Sequence, residues 1–405
     1  MRARSPLLPV FLIVLVDIFG LTLVLPLLAI YAERFGATPF QATLLVSVFA
    51  AFQLISGPIL GAVSDRIGRK PMLLLSQAGS LVGFVILAKA DALWMVFLGR
   101  IIDGATAGNL SLAQAYIADH TAPEKRAKAF ALIGIAFGLG FFVGPFVTSA
   151  LVVHGMEAPI WAAAGLSSLS ILTTALLLPG GAPPAAPSDG AGLPGGKRPS
   201  VLAFSTYAGF FSRPVLGGLL LQFFIFSFAF ATFTSGFALF AERSFRYEDH
   251  AFGVKEIGYT FMYVGFLGIL LQGGIVGRLV KRYGEGPLVA VGFVATTVSY
   301  ALLGQIGTIP ALLGTATISS FGNALLRPCL SALISKNAAR HETGTAIGIS
   351  QSLGSLATIV APALGGALIT AGHLSWWASV AALISAAGFL VRGLGSARVA
   401  VATPS

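Results

Sequence analysis

The stretch Gly57-Pro58-Ile59-Leu60-Gly61-Ala62-Val63-Ser64-Asp65-Arg66-Ile67-Gly68-Arg69-Lys70-Pro71 decides the fold of this chain. It is a short charged segment between two apolar runs, 43–64 and 72–88, in a sequence of which only 10% of residues are charged. Two such runs joined by a short turn predict a tight hairpin of membrane helices. Its cations place the turn on the cytoplasmic side. We expect Gly57 and Gly61, four residues apart, to let the first helix approach a neighbour closely.

Composition restricts the class of protein before any motif does. The 405 residues are 56% hydrophobic with a mean hydropathy of +0.88, which is too little polar surface for a soluble globule of this length. The pI near 10.0 does not indicate nucleic-acid binding, because the basic residues lie in short loops rather than on one basic and aromatic face. The single cysteine, Cys329, excludes an intramolecular disulfide and gives no metal-ligand cluster. We therefore expect a polytopic membrane protein without metal or cofactor.

Apolar runs of about 20 residues, long enough to cross the hydrocarbon core, predict the membrane helices. They lie at 7–31, 42–64, 71–90, 92–117, 127–153, 158–178, 213–241, 256–277, 286–306, 309–335, 343–371 and 374–393. Residues 179–200 are rich in Pro, Gly and small side chains, which is typical of a flexible linker. The predicted fold is an all-α membrane protein of twelve transmembrane helices. Its domains are an N-terminal six-helix half at 1–178, a cytoplasmic linker at 179–212 and a C-terminal six-helix half at 213–405.

The distribution of basic residues gives the orientation. With both termini in the cytoplasm, 18 of the 25 Lys and Arg residues fall in cytoplasmic segments and five in outer loops, as the positive-inside rule requires. Arg100 and Arg327 remain within the membrane. The two halves also repeat, since a shift of 217 residues places Pro145 on Pro362. A bacterial inner membrane is the expected location.

The pattern G-x-x-x-D-R-x-G-R-K-P in the first cytoplasmic loop resembles the signature of the major facilitator superfamily. The resemblance implies two pseudo-symmetric halves with a substrate site between them near the bilayer midplane. It also implies that this loop is part of a cytoplasmic gate. The alternative explanation for its cations is a solvated loop that only follows the positive-inside rule. The gate residues are Gly61, Asp65, Arg66, Gly68, Arg69, Lys70, Asp119 and Arg126.

Ionisable side chains within the predicted spans are functional candidates, because a charge at mid-bilayer costs several kcal/mol. Asp17 lies in the first span, and desolvation disfavours the charged form of a carboxylate. It could load and release a proton as a cavity opens alternately; a structural tie to a neighbouring helix and direct substrate contact stay open. Arg100 and Asp103, three residues apart on one helix face, can form a local ion pair. Gly104 and Gly108 beside them permit close packing.

Further roles follow from the family resemblance. Arg100 matches the fourth-helix arginine that the family links to proton coupling, and Asp103 is a weaker match. The predicted proton-coupling residues are therefore Asp17, Arg100 and Asp103. The fifth span resembles the antiporter signature through Gly140, Gly144 and Pro145, a predicted hinge, although Thr148 and Ser149 replace its final glycines.

Arg327 has three open roles: bidentate binding of an anionic substrate group, pairing with Asp17, or a structural position with its charge snorkelling to the interface. The Phe-rich seventh span faces either the cavity or lipid. The candidate cavity residues are Arg327, Asn109, Gln114, Gln222, Phe226, Phe230 and Asn323.

Several segments resemble the drug/proton antiporter branch of the superfamily, particularly the tetracycline/proton antiporters. They are Val16-Asp17 with Leu25-Pro26, the loop 62–71, 93–95 leading to Gly99-Arg100, and 117–121 followed by Arg126. Gly83, Gly268 and Thr296 stand roughly where those exporters carry ionisable residues, so we expect a cargo other than a metal–tetracycline chelate. The predicted function is proton-coupled efflux, or antiport, of lipophilic or amphipathic organic compounds by alternating access, carried out by a monomer in the bilayer. An importer or uniporter of a polar metabolite or sugar is the alternative. No enzymatic site is expected, because the five histidines lie at loops or helix ends.

Overall fold

The computed structural model describes residues 7–120, 123–178, 204–339 and 342–401. These residues form α-helices joined by short turns, with one small hairpin. The helices are α1 Leu7–Val24, α2 Leu28–Glu33, α3 Pro39–Ile67, α4 Arg69–Ala88, α5 Leu93–Ala105, α6 Asn109–His120, α7 Pro123–Leu151, α8 Glu157–Leu177, α9 Phe204–Phe211, α10 Pro214–Ser244, α11 Val254–Leu270, α12 Val276–Tyr283, α13 Glu285–Leu303, α14 Ile309–Asn337, α15 Thr343–Thr370 and α16 Leu374–Val401. A 3₁₀ turn spans Val152–His154, a π-helical segment spans Leu271–Ile275, and strands β1 Arg246–Tyr247 and β2 His250–Ala251 pair antiparallel.

Each predicted span coincides with a helix or with consecutive helices, and the all-α membrane fold is confirmed. Ten helical stretches among the described residues are long and apolar enough to cross a membrane, and Val10–Val24 is a shorter apolar helix. The first span is broken between α1 and α2 around Pro26, whose ring removes a helical hydrogen bond.

The fourth span was predicted as one continuous helix, but it is broken between Ala105 and Asn109. Ser76 of α4 stabilises the break, because its Oγ donates to the Thr106 carbonyl and accepts from the Gly108 N–H at 2.9 Å. The backbone groups that the break releases are thereby satisfied inside the membrane.

The predicted first hairpin is confirmed. α3 ends at Ile67 and α4 begins at Arg69, so Gly68 alone makes the turn, with φ +102°. A side chain would be strained at this φ, and glycine is therefore required. The expectation that Gly57 and Gly61 bring the helix close to a neighbour is wrong. No described atom outside the local helix lies within 4 Å of a Cβ built on either glycine. That face of α3 is open.

The chain separates into two compact units, Met1–Ser188 with Ala241–Phe266, and Asp189–Phe240 with Leu267–Ser405; they are called unit 1 and unit 2 below. Within unit 1, Arg243 Nη2 of α10 contacts Glu33 Oε1 at 2.6 Å, and Ser149 Oγ donates to the Lys255 carbonyl at 2.7 Å. The predicted domain boundaries stay a prediction. Residues 179–203 of the predicted linker lie outside the described residues, and the remainder contains α9.

Candidate functional site

Asp17 lies in the middle of apolar α1 and faces α8. Its Oδ1 accepts a hydrogen bond from Ser170 Oγ at 2.8 Å, whereas its Oδ2 is buried without a hydrogen-bond partner among the described residues. Gln77 of α4 donates from Nε2 to Ser170 Oγ and to Thr174 Oγ1, both at 2.8 Å. The carboxylate therefore belongs to a polar network that joins three helices, with one oxygen left available.

The predicted ion pair between Arg100 and Asp103 is confirmed on α5. Arg100 Nη1 lies 2.8 Å from Asp103 Oδ2, and the two side chains are only 6% and 8% exposed. Ser80 of α4 donates to Asp103 Oδ1 at 2.8 Å, and the guanidinium carbon lies 4.3 Å from the centre of the Phe49 ring. The pair is neutral as a unit, which lowers the cost of keeping it away from water.

Glycines determine how close the helices around this pair approach. A Cβ built on Gly83 of α4 would lie 2.9 Å from the Gly99 carbonyl oxygen, so the two backbones are in contact. The close packing expected at Gly104 and Gly108 is confirmed, since a Cβ on Gly104 would lie 2.6 Å from the Phe49 oxygen and one on Gly108 would lie 2.9 Å from Leu60 Cδ1. This proximity brings Ser80 within reach of Asp103.

The predicted gate residues surround Arg69 at the α3–α4 turn. Its Nη1 lies 2.6 Å from Asp65 Oδ1 and its Nε lies 2.8 Å from Asp119 Oδ2 at the end of α6. Lys70 Nζ donates to the carbonyls of Ala175 and Leu178, both at 2.8 Å, and so satisfies the end of α8.

Three further gate candidates have other surroundings. Arg66 is exposed, and a Cβ built on Gly61 would meet no described atom within 4 Å. Arg126 lies on α7, and its side chain is outside the described residues.

The predicted hinge residues pack α7 against α1. A Cβ built on Gly140 would lie 2.3 Å from Ile18 Cγ2, and one on Gly144 would lie 2.1 Å from Thr22 Oγ1. Pro145 stands inside α7 without ending it.

The cavity candidates of unit 1 lie on α6. Asn109 is its first residue, and its Oδ1 is buried without a hydrogen-bond partner among the described residues. Gln114 is exposed.

The cavity candidates of unit 2 lie on α10 and α14. Gln222 and Phe226 are buried, and the Phe226 and Phe230 rings stack with centres 6.1 Å apart. Asn323 Nδ2 donates to Ser319 Oγ at 3.1 Å, and Arg327 is exposed. Because Phe223 and Phe226 are buried in the core of unit 2, neither of these two residues faces lipid.

Sequence reasoning missed the polar network to which Asp17 belongs. Gln77, Ser170 and Thr174 lie in apolar helices, and amide or hydroxyl groups there need hydrogen-bond partners. A search for polar side chains in the third and sixth spans would have identified them, but not which residue they contact.

Comparison with known proteins identifies relatives over almost the whole chain. The family model described as Major Facilitator Superfamily matches residues 10–304 and 273–400. The chain is 30% identical over 398 residues to the tetracycline resistance protein, class C, of Escherichia coli, covering 96% of each chain. It is also 30% identical over 342 residues to the major facilitator superfamily domain-containing protein 10 of Bos taurus, covering 82% of this chain and 73% of that one.

Two solved structures share the fold. The human organic anion transporter MFSD10 superposes with a TM-score of 0.69 at 24% identity, covering 97% of this chain and 100% of that one. The nucleoside transporter NupG superposes with a TM-score of 0.73 at 16% identity, covering 97% and 99%. At these identities the likeness concerns the fold alone.

Proposed function

Because the chain belongs to the Major Facilitator Superfamily, we propose that this membrane transporter is a proton-coupled exporter of lipophilic or amphipathic organic compounds. The similarity to tetracycline resistance proteins along the whole chain supports efflux. The observation that carries proton coupling is Asp17, a carboxylate inside an apolar helix with one oxygen on Ser170 and the other without a described partner. We place the protein in a bacterial inner membrane as a monomer with both termini in the cytoplasm.

In this proposal Asp17 is the group that binds the transported proton. An unpartnered carboxylate oxygen in an apolar environment gains from protonation, because burial disfavours the charged form. The Arg100–Asp103 pair is proposed to assist proton coupling. Asp103 accepts hydrogen bonds from both Arg100 and Ser80, so it can change its hydrogen-bond partner without burying a new charge. Proton and substrate need only bias one equilibrium between two conformations in opposite directions to be coupled.

The proposed conformational change is alternating access. It is assigned to the predicted halves, residues 1–178 and 213–405, with 179–212 as the linker. Gly140, Gly144 and Pro145 are proposed as the hinge, because glycine contact leaves α7 without side chains that interlock with α1 there. The ion pairs of Arg69 with Asp65 and Asp119 are proposed as the gate, since they can form and break as one cluster.

The test uses proteoliposomes with an imposed pH gradient and an internal pH dye, to which lipophilic cations, amphipathic anions and sugars are added. Wild-type protein is expected to move protons in response to a compound that it transports. Asp17→Asn is expected to keep substrate binding but to lose accumulation against a gradient, because an amide keeps the Ser170 hydrogen bond and cannot be deprotonated. Asp91→Asn, at an exposed Asp of the α4–α5 turn, is the matched control and should behave as wild type.

Gradient-driven accumulation by Asp17→Asn would contradict the assignment of Asp17. Substrate flux in wild type that ignores the pH gradient would favour the alternative, an importer or uniporter of a polar metabolite or sugar.

A further inference from the structure

Arg327 is an exposed residue in the middle of α14. It lies ten positions before the helix end at Asn337, about 15 Å at 1.5 Å per residue. Residues seven positions away share its helix face, and there Ser320 is 5% exposed and Ile334 0% exposed. The exposed residue therefore lies between buried turns of the same face, which indicates a local opening rather than a generally accessible side of the helix.

No carboxylate of the described part of unit 2 neutralises this charge. The two acidic residues described there are Glu285, paired with Lys336, and Glu342, paired with Arg213 at 2.5 Å. A guanidinium does not lose its proton in a protein, and an uncompensated charge within a membrane helix costs several kcal/mol. Within its own unit, Arg327 therefore offers a permanent positive charge to an anion.

The side chains that pack with this part of α14 are aromatic and aliphatic. Leu325 and Leu326 belong to a buried core with Phe223 and Phe226, against which Phe230 and Phe321 also pack. Phe223 and Phe226 are covered by this core, whereas Phe230 and Phe321 are only partly buried and leave aromatic surface in unit 2. Aromatic surface together with one fixed charge suits a molecule with an apolar body and a charged group.

The neighbouring helical segment supplies a second, independent irregularity. The π-helical segment Leu271–Ile275 packs against α14, and such segments are frequent at functional sites. No described atom outside the local helix lies within 4 Å of a Cβ built on Gly273 or Gly274, and Gln272 is exposed. The π-helical segment that packs against α14, the helix of Arg327, therefore has open space at its two glycines and the exposed amide side chain of Gln272.

We propose that the cargo is an amphipathic aromatic anion and that Arg327 binds its carboxylate, sulfonate or phosphate group. Two parallel N–H donors of the guanidinium hold such a group bidentately, and the aromatic body lies against the partly buried rings of Phe230 and Phe321. The inference rests on the proposed export function for its physiological meaning, because it names the class of cargo. The binding itself requires no proton gradient.

The experiment measures binding by equilibrium dialysis of the full chain in phosphatidylcholine nanodiscs, with empty nanodiscs as background. The probes are naphthalene-2-sulfonate and naphthalene-2-sulfonamide, which have the same ring and nearly the same shape and differ in charge. Wild type is expected to bind the sulfonate at least about tenfold more tightly than the sulfonamide, since one charge-assisted pair contributes about 1.5–3 kcal/mol.

Arg327→Gln is expected to lose this preference while keeping its affinity for the sulfonamide, which also shows that the variant is folded. Arg327→Lys should keep part of the preference, because lysine retains the charge but not the bidentate geometry. Arg278→Gln removes an exposed cation of α12 in the same unit and should bind both probes as wild type does.

Three results would overturn the proposal. Wild type without a preference for the sulfonate would show that lipid phosphate or a group of the protein already holds Arg327. Equal sulfonate affinity in wild type, Arg327→Lys and Arg327→Gln would place the anion elsewhere. Loss of the preference in Arg278→Gln, with Arg327→Gln binding as wild type does, would assign the anion to Arg278. Because dialysis involves no gradient, a failure of proton coupling leaves these results interpretable.

Discussion

Arg100 and Asp103 show how the protein keeps full charges in the membrane. The two charges pair at 2.8 Å, Ser80 occupies the second carboxylate oxygen, and Phe49 covers the guanidinium. Removing one partner leaves a buried charge without compensation, whereas replacing both by apolar residues of similar size leaves no charge to compensate. Each residue is thus needed for stability while its partner is charged, whereas the two can be replaced together.

We predict that Arg100→Gln destabilises the protein by about 3–5 kcal/mol, because Asp103 remains buried and unpaired. Thermal unfolding in detergent, followed by tryptophan fluorescence, measures the change. The double variant Arg100→Leu with Asp103→Leu should recover most of the lost stability but not proton-coupled transport. A single variant that unfolds at the wild-type temperature would show that the carboxylate becomes protonated or hydrated instead.

At the scale of elements, the contact between α1 and α7 depends on missing side chains. A Cβ at Gly144 would lie 2.1 Å from Thr22 Oγ1 and 3.2 Å from the Thr22 backbone carbon, so the side chain cannot simply rotate away. Gly134 lies on the same helix, and a Cβ built there has no described atom within 4 Å outside the local helix. Substitutions at Gly144 and Gly134 therefore distinguish the effect of packing on stability from the effect of helix propensity.

Gly144→Ala is expected to cost about 1–3 kcal/mol by overpacking, and to slow transport if α7 moves against α1. Gly134→Ala should be neutral or slightly stabilising, because alanine favours the helix and meets no neighbour. Unfolding temperature and initial transport rate in proteoliposomes test both. Equal behaviour of the two variants would mean that α1 and α7 separate easily at Gly144.

For the whole molecule, orientation follows from the distribution of charge. The proposed orientation rests on the excess of Lys and Arg on one side of the membrane. In this proposal the α3–α4 turn and the end of α12 are inside, and the β1–β2 hairpin is outside. The chain contains one cysteine, Cys329, which is 1% exposed. New cysteines can therefore report topology with little background.

We predict that Asp249→Cys, in the exposed hairpin, reacts with a membrane-impermeant maleimide in intact bacterial cells. Arg282→Cys, at the end of α12, should react only after the membrane is opened, because the proposed orientation puts this end of the helix in the cytoplasm. The unsubstituted chain is the control and should stay unlabelled. Labelling of Arg282→Cys in intact cells would reverse the proposed orientation.

The sequence by itself determined the class of protein, its spans and its candidate charges. Crossing the bilayer is a local property: about 20 apolar residues suffice wherever the rest of the chain lies, and an Asp17 or Arg327 inside such a run is visible without its partners. The turn at Gly68 was equally local, since charges and glycine occur together within a few residues.

Tertiary structure decided what those residues contact. Ser170 is 153 positions from Asp17, and no periodicity of the sequence relates the two. The break at Thr106–Gly108 depends on Ser76 of another helix. Glycines such as Gly83, Gly99 and Gly144 pack against a neighbouring helix, whereas Gly57 and Gly61 do not. Hydrophobicity selects the membrane but not the neighbour, because lipid and apolar side chains are equally good surroundings for a helix. Shape and hydrogen bonding between distant segments therefore select the partners.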